Sequence, residues 1–88
     1  MEQEKVIAAA CKISTDENIF ILTAERHADV REILYCANIK YNSITDGFWT
    51  NKDRFVNRIE AKKIAVAANQ LIVPIEETYP ELYSEDVW

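Results

Sequence analysis

Glycine occurs once in these 88 residues, at Gly47, and histidine once, at His27. A single glycine excludes a phosphate-cradling glycine-rich loop, which needs several positions where bare backbone meets phosphate. A single histidine leaves no Cys/His set for a structural zinc ion. The two cysteines, Cys11 and Cys36, form no CxxC; in a reducing compartment they read as small buried apolar residues. Apolar runs such as Val6–Cys11 fall far short of the ~20 residues that cross a bilayer. The opening MEQEK lacks the basic start and apolar stretch of a secretory signal. The expectation is a soluble, intracellular protein with no membrane association, no metal and no cofactor.

Apolar residues make up 49% of the chain, enough for a globular protein with one modest core, so residues 1–88 read as a single domain. A core of that size is marginal alone, and spare aromatics favour a homodimer or an assembly of dimers. The net charge of −5 is unevenly placed. Residues 1–73 carry ten acidic and ten basic side chains, while the last fifteen carry Glu76, Glu77, Glu81, Glu85 and Asp86 with no base. Long nucleic acid is a poor partner for such a chain, because affinity there needs an extended basic face.

Val6–Ser14 and Asn18–Thr23 alternate as strands, and Thr15–Asn18 has turn chemistry, so an N-terminal β-hairpin is expected. Val30, Ile33, Leu34 and Ala37 then recur at helical spacing, predicting an amphipathic helix that starts between Thr23 and Asp29. Lys40–Gly47 reads as a loop. A short second hairpin follows, FWT and RFV flanking NKD. Asn57 and Glu60 form an N-x-x-E helix start, with Asn57 accepting from the third helical amide and Glu60 reaching back. Ala61, Ile64, Ala65 and Ala68 hold that helix's apolar face, and Asn69 suits a left-handed C-terminal cap. LIVPI (residues 71–75) reads as an edge strand, given Pro74. The last residues, with Tyr79, Leu82, Tyr83, Val87 and Trp88, read as an ordered, docked tail. The sum is an α+β fold: hairpin, helix, hairpin, helix, tail.

Catalysis has little to work with. A nucleophilic mechanism needs Ser or Cys beside an oriented histidine base, and only His27 is available. A binding pocket has more support. Arg26 and His27 stand at a helix start, where free amides favour an anion. Arg54 and Arg58 bracket the second helix start. Phe48 and Trp49 offer faces on which a nucleotide base stacks, while Phe55 reads as core. In the bland alternative the same aromatics pack a hairpin on its own helix, and the acidic aromatic tail docks on a protein partner.

The stretch GFWT…RFVNRIEAKKIAVAANQ, with ERH upstream and LYSEDVW at the end, resembles a group of small phage proteins. In that group Arg-His, Gly-Phe-x-Thr, Arg-Phe-Val-Asp/Asn-Arg-x-Glu-Ala and a terminal Leu-Tyr/Phe-Ser-Glu-Asp recur in this order. The pattern is similar to that of the anti-Thoeris proteins of the first type. Matching positions include Arg26, His27, Gly47, Phe48, Arg54, Asn57, Arg58 and Leu82–Asp86. The resemblance implies a non-enzymatic sponge that holds a cyclic ADP-ribose-type messenger, or a cyclic oligonucleotide, in the cytoplasm of the infected bacterial host. It further implies ligand contacts from Arg26, His27, Phe48, Trp49, Arg54, Asn57 and Arg58. Two departures stand out: Asp53 and Asn69 replace glycines of the group, residue types that tolerate positive φ, and the connection from Ile39 to Asp46 is short, which bears on ligand contacts that a longer loop would supply.

Overall fold

The turn at Thr15–Asn18 closes as its chemistry requires. The Thr15 hydroxyl accepts from the amides of Glu17 and Asn18 at 3.3 and 3.0 Å, and the Thr15 amide donates to the Asn18 carbonyl at 2.8 Å. In the computed structural model, which describes residues 2–88, this turn joins β1 (Val6–Ser14) to β2 (Ile19–Ala24). The helix α1 (His27–Cys36), strands β3 (Ser43–Thr50) and β4 (Phe55–Asn57) and helix α2 (Arg58–Ala67) follow. Two short 3-10 turns, Ile75–Glu77 and Ser84–Asp86, lie in the tail. The strands form one antiparallel sheet in the order β2-β1-β3-β4. The α+β class and the sequence of hairpin, helix, hairpin, helix and ordered tail hold.

Several local expectations fail for physical reasons. Residues 43–47, expected in a loop, are strand: Ser43 to Thr50 pair with β1 in a register that runs from Ser14↔Ser43 to Val6↔Thr50. The period-two pattern Ile44, Asp46, Phe48 was masked by Asn-Ser and Asp-Gly turn signals. Gly47 is consequently mid-strand rather than at a bend, and it has no positive φ. It is required by close approach, since a Cβ there would collide with the Val56 carbonyl oxygen and the Phe55 ring. Residues 71–75 are not an edge strand. The Ile72 amide donates to the Asp86 carbonyl at 2.8 Å, so this segment bonds to the tail, and Pro74 opens a 3-10 turn.

Both helices end as asparagine at positive φ allows. Asn38 and Asn69 have φ of 55° and 56°, and the amides after them, of Ile39 and Gln70, reach back to Leu34 and Ala65 at 2.9 and 2.8 Å. This six-to-one bond with a left-handed residue satisfies carbonyls that a helix end leaves open. Asp53, φ 58°, turns the second hairpin. At the start of α2 the Asn57 side chain accepts from the Glu60 amide at 2.7 Å. Glu60 does not reach back; its carboxylate pairs with Arg54 at 3.0 Å.

The helices lie on one face of the sheet and divide its core. The larger cluster joins Ala9, Phe48 and Val56 of the sheet to Ala61 and Ala65 of α2 and to Leu82 and Val87 of the tail. The smaller joins Cys11 and Ile13 to Val30 and Leu34 of α1. Ile33 stays 46% exposed, outside the face expected for it, and Cys36 is exposed while Cys11 is buried. Alternation sends Ala8, Ala10, Lys12, Ile21, Thr45, Gly47, Trp49 and Phe55 to the opposite face, which no helix covers. Phe55 is half-buried there, across Gly47, rather than in the core.

Candidate functional site

Asp46 is the one charged residue that β3 turns toward the helices, and it falls between the two core clusters. An unpaired carboxylate there would be costly. Arg31 reaches it from α1 at 3.0 Å, and Arg58 from the first turn of α2 at 3.1 Å. The buried Cys11 thiol donates to the same carboxylate at 3.3 Å. Burial raises the Asp46 pKa, but hydrogen bonds from Arg58, Cys11 and Arg31 outweigh it and hold the carboxyl below its ordinary value. Burial, together with the hydrogen bond to Asp46, pushes the Cys11 thiol up to about 12. That thiol is protonated at neutral pH and is no nucleophile.

His27 opens α1 and is 8% exposed. Its Nε2 lies 2.7 Å from the Gly47 carbonyl oxygen. A carbonyl only accepts, so Nε2 carries the proton and donates. Burial lowers the His27 pKa, more than the Gly47 bond raises it, and Arg58 lowers it further. The ring is neutral at pH 7 and sits edge-on to Phe48, with centroids 5.0 Å apart.

The tail closes this region. The Leu82 amide donates to the Arg58 carbonyl at 2.9 Å, and Arg58 Nη1 donates back to the Leu82 carbonyl at 2.7 Å. The Arg58 guanidinium lies 4.7 Å from the Tyr83 ring centroid, a cation–π distance. Arg26 Nη2 donates to the Trp88 main-chain oxygen at 2.6 Å, and Trp88 Nε1 donates to the Glu25 carbonyl at 2.7 Å. Arg26 Nη1 is buried and has no hydrogen-bond partner among the described residues. Two guanidiniums, of Arg31 and Arg58, therefore pair with one carboxylate, Asp46, while the tail holds a third, that of Arg26, at the start of α1.

The structure separates the seven residues singled out in the sequence. Arg58 belongs to the Asp46 cluster, His27 feels its charges, and Arg26, next in sequence to His27, is held by Trp88 of the tail. Phe48 lies beneath it with no exposed surface, so it packs against His27 and Trp88 and presents no face for stacking. Trp49 is on the opposite, uncovered face of the sheet. Arg54 is held at the hairpin end by Glu4, at 2.7 Å, and by Glu60. Its hydrogen bonds, with one from Thr50, bring the Glu4 pKa down to about 2. Asn57 is committed to capping.

Asp46, Arg31, Cys11, Tyr83 and Trp88 were missed. Reading Ser43–Thr50 as a strand would have exposed Asp46, the lone acid on an apolar face. Two grooves, of about 330 and 250 Å³, open elsewhere, beside Glu60 and Lys63 and beside Val66 and Ile75. The tail lies against Arg26 and Arg58.

Fold and cluster together define a small α+β domain whose closing tail clasps Arg26 and Arg58, one at the start of each helix. A family model described as phage T4 y16D protein matches residues 5–88, and the chain belongs to that family of bacteriophage proteins. Neither the curated proteins nor the solved structures contain a match.

Proposed function

We propose that this phage protein is a non-enzymatic sponge. It captures a cyclic ADP-ribose-type or cyclic oligonucleotide signal and keeps it, uncleaved, from the bacterial defence that reads it. It acts in the cytoplasm of the infected host, as a homodimer or an assembly of dimers. The reading rests on the resemblance of its motifs to the anti-Thoeris proteins. One structural observation supports it: the buried Arg26 Nη1 has no acceptor, beside a helix start that also favours negative charge.

In this reading a phosphate supplies the acceptor that Arg26 lacks, and Arg58 contributes a second guanidinium. With Phe48 enclosed, stacking falls to Tyr83, which already lies over Arg58 and is 40% exposed. Nanomolar capture needs about −12 kcal/mol, and charge-assisted hydrogen bonds, stacking and exclusion of water are the means available.

The alternative, a regulatory protein that docks through its acidic aromatic tail, has one supporting observation. Tyr79 and Tyr83 pair edge-to-face, centroids 6.0 Å apart, and Tyr79 is 67% exposed beside Glu76, Glu77 and Glu81.

Calorimetry with cyclic ADP-ribose isomers and cyclic dinucleotides separates the two. The bound sample is then denatured and the supernatant chromatographed. A sponge binds one of them and returns it intact, with Arg26→Ala and Arg58→Ala each weakening capture at least tenfold. Returned products identify an enzyme instead. No retained nucleotide leaves the docking reading.

A further inference from the structure

The sheet ends on two unequal edges. β4 is three residues long and runs straight into α2, so it presents little free backbone. β2, Ile19–Ala24, pairs only with β1 and forms the other edge. Edge strands are ordinarily blunted by charge, proline, a bulge or short length. IFILTA has six residues, no charge and no proline, and its pairing with β1 is unbroken from Ile19 to Ala24.

The free groups can be assigned. The Thr15 amide bonds the Asn18 carbonyl, which makes 15 and 18 a hydrogen-bonded pair. Bonded pairs recur at every second residue of an antiparallel ladder. Phe20, Leu22 and Ala24 therefore exchange bonds with Ile13, Cys11 and Ala9. Ile19, Ile21 and Thr23 direct their amides and carbonyls outward, and no hydrogen bond from elsewhere in the described chain meets them. All three are β-branched, their side chains share the uncovered face of the sheet, and Ile19 is 71% exposed.

We propose that this edge is where two copies of the chain join, β2 antiparallel to β2 about a twofold axis, in one continuous eight-stranded sheet. The inference rests on the self-association in the reading above and is independent of any nucleotide. Centred on Ile21, the register sets Ile21 against its own copy and Ile19 against Thr23 on both sides of the axis. Every outward amide and carbonyl of the three residues then finds a partner, and β-branched residues meet across the seam. Symmetry makes the edge its own complement, whereas a foreign strand would have to match it by a separate sequence. Two copies of net charge −5 repel, but the strand itself brings no charge to the seam, and in this register Glu17 and the copy's Glu25 fall beyond its ends.

The test is backbone amide exchange by NMR, alongside sedimentation, on the unmodified protein and on Ile21→Pro. The expected result is a dimer in which the amides of Ile19, Ile21 and Thr23 exchange at least tenfold more slowly than in a sample diluted to monomer. Phe20 and Leu22 are protected in both. Proline at 21 removes only an outward N–H, so the β1 ladder survives, and that variant is a folded monomer. A monomer at every concentration, a dimer whose three outward amides exchange freely, or a dimer that survives Ile21→Pro overturns the proposal. Should Ile21→Pro fail to fold, exchange in the unmodified chain decides. A foreign strand as the true occupant appears as a monomer with open amides, and counts against it. Nucleotide is absent throughout, so a dimer joined elsewhere leaves the sponge reading intact, a monomer removes only its self-association and not nucleotide capture, and failure to bind nucleotide leaves this interface standing.

Discussion

His27 carries the clearest pH consequence of any single residue. Its pKa in the folded chain is below the ordinary 6.5, chiefly through burial. As the pH falls past 6.5, the unfolded chain takes up that proton first, so the stabilising contribution is complete above 6.5 and lost below it. Thermal melts from pH 7.5 to 5 should show decreasing stability in the unmodified protein. His27→Gln retains an N–H for the Gly47 carbonyl, and its melting temperature should vary less across that window; an unchanged slope would place the pH dependence elsewhere. Asp46 acts lower. Its pKa is depressed below 3.8, so its contribution is lost only as the pH falls through and beneath that value. Phe48 is a matter of packing rather than charge. With no exposed surface, Phe48→Ala should cost about 3–5 kcal/mol in denaturant unfolding, before any effect on a ligand is considered.

At the scale of elements, legibility followed the strength of local chemistry. The first hairpin, the second helix with its Asn57 cap, and the left-handed Asp53 and Asn69 could all be read because a side chain and a backbone need coincided. Asn57→Ala should lower stability by roughly 0.5–2 kcal/mol in chemical denaturation, with α2 the element that frays in amide exchange. β3 was not legible, since Asn42, Ser43, Asp46 and Gly47 carry turn signals that tertiary pairing overrides. Only burial between β1 and β4 makes Ser43–Thr50 a central strand. Gly47→Ala tests that role. At a left-handed turn glycine a side chain is disfavoured by φ, whereas at Gly47 it is excluded by the Val56 carbonyl and Phe55 ring beside it. The variant should disturb the NMR shifts of β4 more than those of β1. The candidate site was half legible. Arg26, His27 and Arg58 are announced by helix starts, but Asp46 joins them only through the misread strand, and nothing local shows that the tail reaches Arg26.

The tail decides how far the whole molecule behaves as one unit. Leu82 and Val87 are buried in the larger core and Trp88 packs on it, so residues 82–88 complete the domain. The same segment holds the start of α2 through Arg58 and the end of β2 through Glu25 and Arg26. Burying a large apolar side chain contributes about 1.5–3 kcal/mol, and three such groups approach the whole stability of a small domain, ~5–15 kcal/mol. Deleting residues 82–88 should therefore abolish the cooperative melt. Tyr79→Ala, at an exposed position of the same tail, should leave the melting temperature within a degree or two, because little surface is lost from water there. A truncated chain that melts cooperatively at the original temperature would make the tail an appendage, and the arginine cluster an open surface. A collapse confined to the truncation makes the tail the third wall of the core. A ligand at Arg26 and Arg58 then has to bind beside the tail or lift its end, because displacing all of it would unfold the protein.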